Sequence, residues 1–190
     1  LQLDVANNLI NITKGVLNSA GINLNTFGSI ELTSQTKINL TINGNNIEIA
    51  QLLKSLPPGS QFKNNFKSSG NLMFTAKING ALTKKISPNV VANFSIKQAT
   101  VNYHKKNINF NKIELNGYYT NGSKRNMQTS VLSVDNIKIA SSKSQIYGIA
   151  TISDFTSPSI KINTNVNVDI PELMAFFKSD TLTCSAGLLT

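Results

Sequence analysis

The sequence predicts a mainly β protein: one long, curled antiparallel sheet, an open groove or taco-like trough, with two short amphipathic helices. Three observations point there. Apolar and polar residues alternate with a period of two over most of the chain. Turn signals built on Gly and Pro separate the alternating runs. Only two stretches carry a helical stripe, each about two turns long.

The alternating runs define the candidate site. Ile38, Leu40 and Ile42 alternate with Lys37, Asn39 and Thr41. Leu72, Phe74, Ala76 and Ile78 alternate with Asn71, Thr75 and Lys77. Val90, Ala92, Phe94 and Ile96 alternate with Asn93, Ser95 and Lys97. Ile113 and Leu115 flank Glu114, and Leu132 and Val134 flank Ser133. Ile160, Ile162, Val166 and Val168 alternate with Lys161, Asn163, Asn165 and Asn167. A strand sends successive side chains to opposite faces, so each run has one dry face and one wet face. That division belongs to antiparallel sheets rather than to buried parallel ones. Residues 1–32 are less regular: Leu1, Leu3 and Val5 alternate, but Leu9 and Ile12 break the period. Irregular strands with turns at Gly21 and Gly28 are expected there.

Asn-Gly pairs favour tight reversals because both residues tolerate positive φ. Asn43-Gly44 is therefore expected to end the first clear strand and Asn79-Gly80 the second, with a further turn at Asn121-Gly122. Pro57-Pro58-Gly59 is a firm break. Pro88 and Pro158 each precede a strand, where a missing N–H does least harm.

The helical stripes are Ile49, Leu52, Leu53 and Leu56 in one stretch and Leu173, Phe176 and Phe177 in the other. The first stops at Pro57, and the second carries Pro171 in its first turn. Helices this short need tertiary support. They sit in matching contexts, which gives an approximate internal repeat, 36–80 and 160–190. Residues 37–43 resemble 161–167, residues 47–53 resemble 168–174, and Gly70-Asn71-Leu72 resembles Gly187-Leu188-Leu189. Each copy reads strand, acidic residue, short helix, glycine, strand. A period of roughly 120 residues is longer than the common solenoid repeats, so residues 1–190 read as a single section of a larger repetitive β protein.

Composition excludes several classes. A hydrophobic fraction of 40% is ordinary for a folded chain. No apolar run reaches the roughly 18 residues of a membrane-spanning helix. The net charge of +9 comes from 18 basic and 9 acidic residues. Arg125 is the only arginine, and arginine is the residue that forks onto phosphates and guanines, so no nucleic-acid partner is expected. The cations cluster only as pairs: Lys84-Lys85, Lys105-Lys106 and Lys124-Arg125. Solvated strand faces are the first expectation for them, with affinity for anionic headgroups second.

Chemistry is sparse. Cys184 and His104 are each the only residue of their type, which argues against a disulfide, a metal site or Cys-His catalysis. There is no Walker loop, GxGxxG or GxSxG. Glu48 and Asp169 occupy equivalent repeat positions, where a carboxylate suits a helix N-terminus. Phe176-Phe177 reads as packing. Tyr118 and Tyr119, being adjacent on a strand, are expected on opposite faces. No catalytic residue, metal or cofactor is expected, and the chain is not expected to be an enzyme. Functional weight falls on the apolar set, which either closes against a second sheet or stays open as a groove.

Several segments resemble the AsmA family of bacterial envelope proteins, especially the large forms of Bacteroidetes-like bacteria. They are residues 47–57, Gly70-Asn71-Leu72-Met73-Phe74, Ile78-Asn79-Gly80, Ser87-Pro88-Asn89-Val90, Asn116-Gly117, residues 130–134, residues 148–155 and Ser157-Pro158-Ser159-Ile160. The resemblance runs over most of the chain after about residue 36. It implies a periplasmic protein anchored in the inner membrane by an upstream helix, and a long sheet whose apolar groove binds or conducts phospholipid, or which assists outer-membrane assembly. The partner expected on this basis is phospholipid or another acyl lipid. The competing expectation is a closed β-sandwich, a structural or adhesin domain of the envelope with no lipid ligand.

Overall fold

The computed structural model describes residues 2–4, 7–19, 22–54, 66–103, 108–176 and 188–189. The strands are β1 (Gln2–Asp4), β2 (Leu9–Ser19), β3 (Ile22–Glu31), β4 (Thr36–Glu48), β5 (Phe66–Leu82), β6 (Asn89–Tyr103), β7 (Ile108–Thr120), β8 (Val131–Ala140), β9 (Gln145–Ser153), β10 (Ser159–Asp169) and β11 (Leu188–Leu189). Helix α1 (Ile49–Lys54) joins β4 to β5, and α2 (Ile170–Phe176) follows β10.

Strand order in the sheet is chain order from β1 to β11. Every neighbouring pair is antiparallel. The chain is thus an up-and-down meander of long strands, β2 to β10, with a very short strand at each edge. The edge strands do not pair with one another, so the sheet is open. Up-and-down order sends all even-numbered strands the same way. Both helices follow even-numbered strands, so both leave from one end of the sheet, the helix end. The tight connections 32–35, 83–88, 121–130 and 154–158 lie at the other, the turn end.

The two strand–helix–strand units have the same pairing offsets. Ile47 faces Leu72 and Glu48 faces Asn71 across β4–β5. Val168 faces Leu189 and Asp169 faces Leu188 across β10–β11. Among the described residues the buried hydrophobics are Ile47 (4% exposed), Val168 (8%) and Ala99 (1%). The first two occupy matching positions, two residues before a helix begins.

Two Asn-Gly pairs do not turn. Asn43-Gly44 lies inside β4 and Asn79-Gly80 inside β5. β4 runs on through Asn43-Gly44 to Glu48, where α1 begins, and the reversal after β5 comes later than Asn79-Gly80, at Thr83–Pro88, where a side-chain oxygen organises the backbone. Thr83 Oγ1 accepts from the N–H groups of Lys85 (3.2 Å) and Ile86 (3.0 Å). Gly28, also expected in a turn, lies inside β3. Asn121-Gly122 does follow the end of β7, and Pro88 and Pro158 directly precede β6 and β10. Gly21, Leu56 and the break at residues 57–59 lie outside the described residues.

The irregular period near the N-terminus has a local cause. The β2–β3 register shifts between Ile12 and Gly15, so an extra residue resets the alternation. Similar shifts occur at Gly44/Ile47 in β4, Ser69/Asn71 in β5, Ile96/Ala99 in β6 and Val134/Ile137 in β8. Each one bends its strand and increases the twist.

Candidate functional site

Residues paired across an antiparallel ladder point to the same face. Following the registers from strand to strand therefore shows which side chains share a surface. One row runs Gly44, Phe74, Phe94, Gly117, Val134, Ala150, Ile162. The next runs Ile47, Leu72, Ile96, Leu115, Ile137, Gly148, Thr164. On the other side lies Thr26, Ile42, Ala76, Ala92, Tyr119, Leu132, Ile152, Ile160. Flanking rows add Gly28, Leu40, Ile78 and Val90 at the turn end, and Ala99, Ile113, Ile139, Ile146 and Val166 at the helix end. Ile38 stands between Ile30 and Gly80. The candidate residues of all six alternating runs thus lie on one face.

This face is not a closed core. The described strands form one sheet, and no second sheet covers it among the described residues. That departs from the sandwich expectation. Most of the face is half-buried, and among the described residues its centre is screened by lateral neighbours. Ile160 and Ile162 on the last long strand are 61% and 66% exposed, because β11 is too short to shield them. A contiguous apolar face that no second sheet covers marks an interaction site.

Glycines let the aromatic rings lie flat on the sheet. A Cβ on Gly44 would sit 2.5 Å from Phe74 Cε1, and one on Gly117 would sit 2.7 Å from Phe94 Cζ. Phe74 and Phe94 face each other across β5–β6, so the two rings cover two glycines of the same row.

Both ends of the face are dressed. At the helix end, Phe66 and Tyr103 stack at 4.8 Å, and a hollow lined by Ala50, Leu53, Phe66 and Ser68 separates α1 from β5. Helix α2 packs on β10 and reaches β7. It is clasped to the β8–β9 turn: the Glu172 carboxylate accepts from Ser141 Oγ (2.5 Å) and from Ser144 Oγ. Ser144 Oγ also accepts from Asp169 N–H (3.2 Å), and Asp169 Oδ1 accepts from Glu172 N–H (3.0 Å). Asp169 is thus a helix N-cap. At the turn end, Tyr119 meets Phe155 edge-on at 6.1 Å and shares a hydrogen bond with Ser130 Oγ (3.2 Å).

The opposite face is polar. Tyr118 lies there, level with Asn93 and Ser133, while Tyr119 lies on the apolar face. A hollow of about 390 Å³ opens among Lys112, Glu114, Lys138, Gln145 and Tyr147 over the small side chain of Ala140. Most of its lining residues belong to the face opposite the apolar one. Ion pairs are exposed and loose: Lys37–Glu31 at 3.2 Å and Lys138–Glu114 at 3.9 Å. Asp154 titrates below its ordinary 3.8, chiefly because the Thr156 hydroxyl donates to it, then through Ser157 N–H. Among the described residues no three of His, Cys, Asp and Glu gather into a metal-binding group. No described helix is long and apolar enough to cross a membrane. His104, Phe177 and Cys184 lie outside the described residues.

The sequence pattern missed part of the face. Ile10, Ile12 and Ile30 belong to it, as do Ile137, Ile139 and Ile146. The bulge at Asp135-Asn136 shifts the phase after Val134, so Ile137 and Ile139 look out of register in the linear sequence. Hydrophobic residues on both sides of an Asp-Asn pair were the available signal.

The chain matches no protein-family model, no curated protein and no solved structure.

Proposed function

We propose that the chain is a non-enzymatic, lipid-binding section of an AsmA-like protein of the bacterial envelope, located in the periplasm. Acyl chains lie on the apolar face of the meander and move along it. The continuity of that face carries the proposal: its rows run unbroken from β4 to β10, with only small or apolar residues and one threonine in the central row and its helix-end neighbour. Covering such a surface with hydrocarbon is favourable by about 25 cal/mol per Å². A wall of Ile, Leu, Val and Phe provides no single deep pocket, so lipid is held without being fixed in place. Conduction of phospholipid between membranes, in support of outer-membrane assembly, is the physiological role that follows.

Native mass spectrometry with lipid extraction tests this. The chain purified from a bacterial host is expected to carry phospholipid, and folded Leu40→Asp and Phe94→Asp variants are expected to lose it. A folded parent chain free of lipid would favour a structural or adhesive role.

A further inference from the structure

The structure assembles a second surface, remote from the centre of the apolar face. Lys84-Lys85 and Lys124-Arg125 are far apart in sequence, but the meander brings their connections together at the turn end. The 83–88 turn joins β5 to β6 and the 121–130 turn joins β7 to β8, so they are next neighbours at that end. They are also stitched together. Asn121 Nδ2 donates to Pro88 O (2.8 Å), and Asn121 Oδ1 accepts from Val90 N–H (2.9 Å). Arg125 Nη1 reaches Ser87 O at 3.4 Å. Asn121 is buried, so this joint is built into the fold.

The joined turns carry four cations and no carboxylate. Lys84, Lys85 and Lys124 are exposed. Each turn also projects one apolar side chain into water: Ile86 is 40% exposed and Met127 is 55% exposed. The nearby acid, Asp154 of the 154–158 turn, is occupied by Thr156 and Ser157. Clustered cations beside exposed apolar tips have one well-defined complement. An anionic bilayer surface offers phosphates to the cations and an acyl boundary to the tips. A nucleic acid, whose accessible backbone is polar, would leave Ile86 and Met127 in water.

We infer that the joined 83–88 and 121–130 turns form a docking surface for an anionic lipid bilayer. Docking there presents the turn end of the apolar face to the membrane. The surface stands on charge and exposed tips, not on the apolar face, so it can fail or succeed independently of lipid carriage.

Co-sedimentation with vesicles tests it. Vesicles of phosphatidylcholine with about one-third phosphatidylglycerol are expected to bind the chain, and pure phosphatidylcholine is not. Each cation removed at the surface lowers the partition coefficient about fivefold, so Lys84→Ala/Lys85→Ala weakens binding about 25-fold. Ile86→Asp and Met127→Asp also weaken it, and raised salt weakens the parent. Two controls sharpen the outcome. Lys138→Ala/Lys143→Ala removes the same charge at the helix end and should leave binding within about twofold. Phe94→Asp should lose carried lipid yet still dock. Equal loss from the helix-end pair would show attraction by net charge alone and would overturn the assignment. So would absence of anionic-vesicle binding, or short duplex DNA displacing the vesicles as readily from the Ile86→Asp variant as from the parent.

Discussion

Gly117→Ala should be the more damaging of the two glycine-to-alanine changes in the central row of the apolar face. The added Cβ would lie 2.1 Å from Ser133 O and 3.0 Å from Val134 Cα, both backbone atoms of β8, and 2.7 Å from the Phe94 ring. Backbone in the middle of a ladder cannot yield without breaking pairs. The cost therefore belongs near the upper end of the roughly 1–3 kcal/mol for overpacking. Removing a glycine from the unfolded chain returns about 0.5 kcal/mol. The net loss is about 2.5 kcal/mol, or roughly 5–10 °C in Tm for a domain of this size. Gly44→Ala is the internal comparison. Its Cβ meets only side chains, Ile47 Cδ1 at 2.5 Å and the Phe74 ring at 2.5 Å and 2.8 Å. These can swing aside, so the loss should stay below about 1 kcal/mol. A second substitution separates the causes: Phe74→Leu should offset part of the Gly44→Ala loss, while Phe94→Leu should leave the Gly117→Ala loss largely in place. Urea and thermal unfolding followed by far-UV circular dichroism provide the numbers. A Gly117→Ala variant within about 0.5 kcal/mol of the parent, or Gly44→Ala as the costlier change, would refute the close-packed geometry.

Two further expectations concern the ends of the sheet. Glu172→Ala removes the carboxylate that Ser141 and Ser144 hold; hydrogen bonds to a charged group contribute about 1.5–3 kcal/mol. Amides of residues 170–176 should therefore exchange about 30-fold faster, while those of β5–β6 are unchanged; unchanged exchange in α2 would show that the clasp does not hold it. Asp154, held below 3.8 by Thr156 and Ser157, favours the fold when ionised. Its contribution is present above the unfolded value and lost as pH falls through the lower folded value. Carboxyl NMR should show its midpoint below 3.8 in the parent and moved up in Thr156→Val; an unmoved midpoint would remove the hydroxyl as the main cause.

The strands that alternate cleanly could be read directly from the sequence. From Leu72 to Ile78 and from Val90 to Ile96, period two leaves one face apolar, and the ladder pairs these runs residue for residue. Legibility stopped where the period broke. The bulges at Ile12/Gly15 and Val134/Ile137 add residues whose effect on phase is visible only once the partner strand is known. Asn43-Gly44 and Asn79-Gly80 misled for a related reason. Local chemistry favours a turn at both, but Gly44 is needed beneath Phe74, and Gly80 keeps positive φ (122°) within a strand. Pairing across the sheet overrode the dipeptide preference. The joining of two cation pairs at the turn end was also hidden, since it depends on β5–β6 and β7–β8 being neighbouring hairpins.

Photo-crosslinking along β7 tests the central claim most directly. A photoreactive side chain placed in turn at residues 113, 114, 115 and 116 samples both faces, because Ile113 and Leu115 lie on the apolar face and Glu114 and Asn116 on the polar one. Lipid adducts should form from positions 113 and 115 and not from 114 and 116, so labelling follows the strand period. Equal labelling at all four positions, or adducts confined to 114 and 116, would contradict a hydrocarbon-carrying apolar face.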